Sequence, residues 1–173
     1  EILHPREQIV TIMERIYHGE MTTISGGNLS ILDDNGDIWI TPAGIDKGKL
    51  TSADIICVHP DGTQDGPHKP SSEYPFHKAI YEKRSDLRAI VHAHPPAIVA
   101  YSLVGIAPET HIIPQANAVC GPIGIAPYAI PGSEELGENI ANTLSEGYNM
   151  VILENHGLVA GGHDLLSAFQ RME

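Results

Sequence analysis

Two histidines one residue apart close an apolar run, Leu87-Arg88-Ala89-Ile90-Val91-His92-Ala93-His94-Pro95. Only an extended chain sets residues i and i+2 on the same side. The run Ala89 to His94 therefore reads as a strand, with His92 and His94 side by side near its end. That spacing suits a divalent metal, and a third imidazole is available in Glu154-Asn155-His156-Gly157. Three neutral imidazoles with an open fourth position form a common catalytic zinc arrangement. The plainer account is a pair of hydrogen-bonded histidines at a strand end, and the pair alone does not decide between them.

The rest of the chain supplies elements around that strand. Pro5 to Tyr17 reads as a helix: Pro5 suits its first position, Ile9, Ile12, Met13 and Ile16 make one stripe, and Gly19 suits its end. Asn28 to Leu32 and Asp37 to Thr41 read as strands joined through Asp33-Asp34-Asn35-Gly36, which carries the Asn-Gly hairpin signal. Further strands are expected over residues 55–58, 150–153 and 157–160, and further helices over residues 73–83 and 96–104 and from Ser133 onward. Residues 105–132 are rich in Gly and Pro and read as loops, with a short strand over residues 124–126. From His163 an amphipathic helix opens, with Leu165, Leu166, Phe169 and Met172 on one side and no stop signal after it. A truncated C-terminal tail is expected there.

Hairpins mixed with strand–helix alternation point to one domain over residues 1–173. The expected fold class is α/β of the α+β kind, a single α/β/α sandwich around a mostly antiparallel sheet. A chain of 173 residues with 42% hydrophobic content can bury a full core. The formal net charge of −12 argues against nucleic acid or an anionic membrane as main partner. No apolar run approaches the roughly 18 residues of a spanning helix, and no signal peptide is visible. Cys57 and Cys120 are the only cysteines, which suits free thiols in a reducing cytoplasm.

Three turns rich in small residues lie between elements: Ser25-Gly26-Gly27-Asn28, Thr41-Pro42-Ala43-Gly44 and Lys69-Pro70-Ser71-Ser72. Together they can cradle a phosphate on backbone N–H groups and hydroxyls, without an arginine; singly, each is explained as a turn or cap. Glu73 follows directly, as either a general acid/base or a helix-start carboxylate that satisfies the dipole. His77 falls on the same helix side as Glu73, with packing the simpler account. His4, His18, His59 and His68 lie at element ends or in loops, where exposure is expected.

Read together, five segments in order resemble the class II aldolase/adducin family: Gly26-Gly27-Asn28-Leu29-Ser30, Thr41-Pro42-Ala43-Gly44, Lys69-Pro70-Ser71-Ser72-Glu73, Val91-His92-Ala93-His94 and Asn155-His156-Gly157. Within it the pattern is nearest to the aldolases of L-fuculose 1-phosphate. The resemblance implies His92, His94 and His156 as ligands of one Zn2+ per subunit and Glu73 as the acid/base. It implies Gly27, Asn28, Ala43, Gly44, Ser71 and Ser72 as the phosphate site. It further implies retro-aldol cleavage of a ketose 1-phosphate to dihydroxyacetone phosphate and an aldehyde, in a homotetramer with active sites between subunits. The partner is then a phosphorylated sugar, with no nucleic acid and no membrane.

Two departures bear on substrate choice. Position 43 is Ala, where relatives often carry a hydroxyl, and the loop Glu109 to Gln115 lacks the tyrosine expected at the subunit boundary, with His111 as the available substitute. The alternatives inside the family are an epimerase, a dehydratase or a decarboxylase. Epimerases usually carry Asp where Glu73 stands. A non-catalytic adducin-like scaffold would have lost metal ligands that are all present here. A zinc hydrolase would not need the phosphate cradle.

Overall fold

The strand Ala89–Ala93 is buried along its whole length because helices cover both of its faces. In the computed structural model, which describes residues 3–173, it is the fifth of eight strands in one sheet. The strands are β1 (Asn28–Leu32), β2 (Ile38–Ile40), β3 (Ile56–Val58), β4 (Gln64–Asp65), β5 (Ala89–Ala93), β6 (Ile123–Ala126), β7 (Met150–Leu153) and β8 (Gly157–Gly162). The helices are α1 (Pro5–His18), α2 (Tyr74–Lys83), α3 (Pro96–Val104), α4 (Pro114–Cys120), α5 (Glu134–Ser145) and α6 (Leu165–Met172). The sheet order is β4-β3-β2-β1-β5-β8-β7-β6, antiparallel throughout except for the parallel β6–β7 pair at one edge.

Strand alternation sorts the core into two layers. Ala89, Val91 and Ala93 of β5 face the side covered by α1 and α6, with Ile9, Met13, Ile16 and Phe169. Ile90 faces the opposite side, covered by α2 and α5, with Phe76, Ile80, Ile140 and Leu144. This is the expected α/β/α sandwich. His92 shares the Ile90 side by the same alternation, so its ring is delivered toward α2.

Sequence and structure part company mainly where pairing is long-range. The loop-like stretch 105–132 contains α4, and its short strand β6 pairs in parallel with β7. Two-residue β4 was not expected; it pairs with β3 at the sheet edge. In α6 the buried face is Leu165, Ala168, Phe169 and Met172, whereas Leu166 is 60% exposed. Leu166 sits one residue, about 100° of helical turn, away from Leu165 and misses the stripe.

Candidate functional site

The site forms where β1, β5 and β8 end beside the start of α2. Asn28 of β1 stands opposite His92 of β5, and His92 stands opposite Val159 of β8. His156 lies in the turn that joins β7 to β8; Asn155 before it takes a left-handed φ of 56° to make that turn. Gly157 is required there, because a side chain would meet the Ala93 carbonyl at 2.6 Å and the His94 ring at 2.7 Å. Gly27 is constrained in the same way, with a φ of +69° and the His92 carbonyl 2.7 Å from where a Cβ would sit.

These constraints bring His92, His94 and His156 together, with one ring nitrogen from each in a mutually close group. Nδ1 of His92 lies 2.9 Å from the Leu158 carbonyl. A carbonyl only accepts, so Nδ1 carries the proton and Nε2 presents its lone pair. That Nε2 lies 3.1 Å from Nε2 of His94 and 3.1 Å from Oε2 of Glu73, while Nε2 of His156 lies 3.6 Å from Oε1 of Glu73. Oε1 is buried without a hydrogen-bond partner. Converging imidazole nitrogens with an orphaned carboxylate oxygen fit a divalent cation. Burial, with the neighbouring imidazoles, lowers His94 to about 3 and His156 to about 4, which keeps both neutral as ligands must be. Burial opposes ionisation of Glu73, but positive charge at the imidazole cluster, whether a proton on a ring or a bound cation, outweighs it together with the Asn28 amide and holds the carboxyl well below the usual range.

Glu73 is the N-cap of α2 and makes no side-chain capping bond. Its carboxylate instead accepts from Asn28 Nδ2 at 2.8 Å. Asn28 Oδ1 then accepts from His77 Nε2, which leaves His77 Nδ1 to accept from Ser30 at 2.6 Å. Ser30 is in turn 2.8 Å from the Tyr81 hydroxyl. The directions are forced by Asn28, whose amide nitrogen faces the carboxylate. His77 is therefore more than packing: it is fully buried, lowered to about 3 by that burial, and neutral.

The expected cradle residues also converge. Gly27, Asn28, Ala43, Gly44, Ser71 and Ser72 line one cavity of about 230 Å³ with Glu73, His94 and His156. The second and third turns are tied together by Ala43 N–H to the Lys69 carbonyl at 3.0 Å and Ser71 N–H to the Thr41 carbonyl at 3.0 Å. Those two amides are thus engaged, and the Asn28 side chain serves Glu73. Ser71 Oγ accepts from Glu73 N–H at 3.2 Å and keeps its own proton to donate.

Lys47, which sequence reasoning passed over, also lines this cavity and is 3% exposed. Burial lowers its ammonium to about 8. His111, by contrast, is exposed and paired with Glu109 at 2.9 Å, and does not line the cavity. His59 and His68 are not the free loop histidines expected: each is about two-thirds covered and bonded to aspartate.

Residues 7–173 match the family described as Class II Aldolase and Adducin N-terminal domain. A 5-deoxy-D-ribulose 1-phosphate aldolase from Bacillus thuringiensis serovar kurstaki is 33% identical over 95% of this chain and 77% of its own length. A 3-oxo-tetronate 4-phosphate decarboxylase from Haemophilus influenzae is also 33% identical, over 99% of this chain and 83% of its own. A solved L-fuculose 1-phosphate aldolase superposes with a TM-score of 0.86 at 32% identity, over 96% of this chain and 79% of that one.

Proposed function

Because the chain belongs to the family of class II aldolases and adducins, we propose that it is a zinc-dependent aldolase. Its reaction would be cleavage of a ketose 1-phosphate, of the L-fuculose 1-phosphate kind, to dihydroxyacetone phosphate and an aldehyde. The observation that carries this reading is the placement of the Glu73 carboxylate. It faces His92 at 3.1 Å and His156 at 3.6 Å, on the wall of the cavity that holds the anion cradle.

His92, His94 and His156 would hold the cation, with Glu73 beside it. When bound, the ion supplies Lewis acidity toward the ketone oxygen next to the bond that breaks. The remaining work falls to this chain's own residues. The turns at Gly27, Gly44, Ser71 and Ser72 hold the phosphate and fix the sugar's direction, so that its carbonyl end points to the histidines. Glu73 handles the proton of the severed carbon. As a carboxylate it removes that proton in the condensation direction; in cleavage it takes up the proton given off by the hydroxyl that becomes the aldehyde and delivers a proton to the severed carbon. No lysine Schiff base is needed.

A second reading is favoured by the equal identity to the decarboxylase: loss of CO2 from an oxo-acid phosphate, which leaves the same kind of carbanion beside a carbonyl. A panel separates the two. Dihydroxyacetone phosphate released from ketose 1-phosphates is read by enzymatic reduction with NADH, and CO2 is trapped from 3-oxo-tetronate 4-phosphate. Decarboxylation of that oxo-acid itself leaves dihydroxyacetone phosphate, so the arms are read separately: CO2 from 3-oxo-tetronate 4-phosphate with no dihydroxyacetone phosphate from any ketose 1-phosphate would overturn the aldolase reading.

We further propose a homotetramer with sites at the subunit boundaries. Support comes from the apolar surface of α3 and the turn after it, where Leu103, Val104, Ile112 and Ile113 are 61–71% exposed. Surfaces of this kind mark contact sites. Cys57 and Cys120 are free, in keeping with a cytoplasmic enzyme, and no helix is long and apolar enough to cross a membrane among the described residues.

A further inference from the structure

The anion cradle is short of donors and, apart from one residue, of positive charge. Ala43 brings no hydroxyl and its N–H is taken by Lys69; the Ser71 N–H is taken by Thr41; the Asn28 amide is taken by Glu73. A phosphate monoester placed there is a dianion near neutral pH. Glu73, in the same cavity, is itself anionic. The chain's overall charge of −12 adds further repulsion.

Lys47 is the only lysine or arginine that lines the cavity. Its ammonium is anchored on the Pro42 carbonyl at 2.7 Å, and its backbone N–H on the Ile24 carbonyl at 2.8 Å. It therefore stands between the first and second turns of the cradle. The Pro42 bond uses one of its three N–H donors. Among the described residues no carboxylate forms a salt bridge with it, and burial alone accounts for its lowered basicity. A buried ammonium without a counter-ion is costly, because water is lost and nothing replaces the opposite charge. An anion in the cavity would complete the pair.

We infer that Lys47 is the cation of the phosphate site, pairing through its ammonium with the phosphate monoester of the substrate. The inference rests on the reading that this substrate carries a phosphate. It assigns Lys47 two tasks: tying the Ile24 and Pro42 turns together, and compensating the charge of the ligand. Only the second depends on the ammonium being positive.

Ethyl phosphate is the probe, since it offers the dianion without a carbonyl or diol to chelate metal. Its affinity for the full chain is measured by calorimetry. Lys47→Gln keeps a donor for the Pro42 carbonyl but has no charge, so it should weaken binding about tenfold to a hundredfold, and Lys47→Met at least as much. Wild-type affinity in Lys47→Gln would overturn the assignment and leave a purely structural lysine. Should the neutral variants fail to fold, the Lys47 side-chain NMR resonances of the wild type should shift on adding ethyl phosphate, and their failure to move would overturn it equally. Lys47-dependent binding with no release of dihydroxyacetone phosphate from ketose 1-phosphates would sink the aldolase reading alone. An active aldolase whose ethyl phosphate affinity ignores Lys47→Gln would sink the lysine alone.

Discussion

The Asn28 amide donates to Oε2 of Glu73 at 2.8 Å, with Asn28 3% and Glu73 8% exposed. Asn28 is itself aimed by His77, and His77 by Ser30 and Tyr81, so a buried line of donors runs from α2 through β1 back to the carboxylate. The line fixes Oε2 of Glu73 as the oxygen that takes the Asn28 amide, beside His92, and leaves Oε1 toward His156. His77→Phe would strand the Asn28 and Ser30 partners, at about 1–3 kcal/mol of stability. It should also lower kcat about tenfold to a hundredfold, the usual effect of losing a partner that orients a ligand or reacting group. Affinity for ethyl phosphate should not change. An unaltered kcat in a folded His77→Phe protein would show that the line does not position Glu73.

Metal content tests the histidine cluster directly. Elemental analysis of the purified chain should find about one zinc per subunit, the stoichiometry of a three-imidazole site. His92→Ala should lose it, and should also lose the fall in Tm that a chelator causes in the wild type, since a bound ion stabilises only the folded state. Full metal content in His92→Ala, or a Tm indifferent to chelator in the wild type, would reject the ligand set.

For Glu73 the informative variant is Glu73→Gln, which keeps the size and the contact with Asn28 while removing the base. Metal content and ethyl phosphate binding should be near normal. Turnover of a cleaved ketose phosphate should drop about 10²- to 10⁴-fold, the range expected for a lost general acid/base. Turnover within a few-fold of wild type would remove Glu73 from proton transfer.

Local signals carried much of this site. His92 and His94 declare a strand by their spacing, Glu73 and Ser72 declare a helix start, and the glycines at 27 and 157 mark close approaches that the β1–β5–β8 packing then requires. What was not legible depends on partners far along the chain. Lys47 sits in a polar stretch that reads as surface, and it is buried because its short turn packs against α1, where Tyr17 contacts Gly48. His77 looks like packing because its partners, Ser30 and Asn28, lie 47 and 49 residues away. The β6 strand is expected over residues 124–126, but its parallel pairing with β7 depends on residues far along the chain and has no local signal. Leu166 failed for a different reason: counting apolar residues without their angular position assigns a neighbour to the wrong face.

His59 offers a test of pH dependence away from the histidine cluster. Its Nδ1 lies 2.8 Å from Asp37 and its Nε2 3.0 Å from Asp65, clamping the turn after β3 to β2 and β4. The bonds to Asp37 and then Asp65 raise the imidazole from 6.5 to about 9. The folded state therefore holds this proton more tightly than the unfolded chain does. The stabilisation is complete below about pH 6.5 and is lost as pH rises through about 9. Its size is limited by solvent, since the side chain is 31% exposed. Cys57, pushed up from 9.0 to about 11 mainly by burial, is common to both proteins, so the ionisation of its thiol in the unfolded chain cancels from the margin between them. His59→Asn should thus melt below the wild type by a margin that is widest near pH 6 and narrows toward pH 9. A margin that stays constant across that range would mean that the ring is neutral and donates to one aspartate alone, and that the clamp owes nothing to charge.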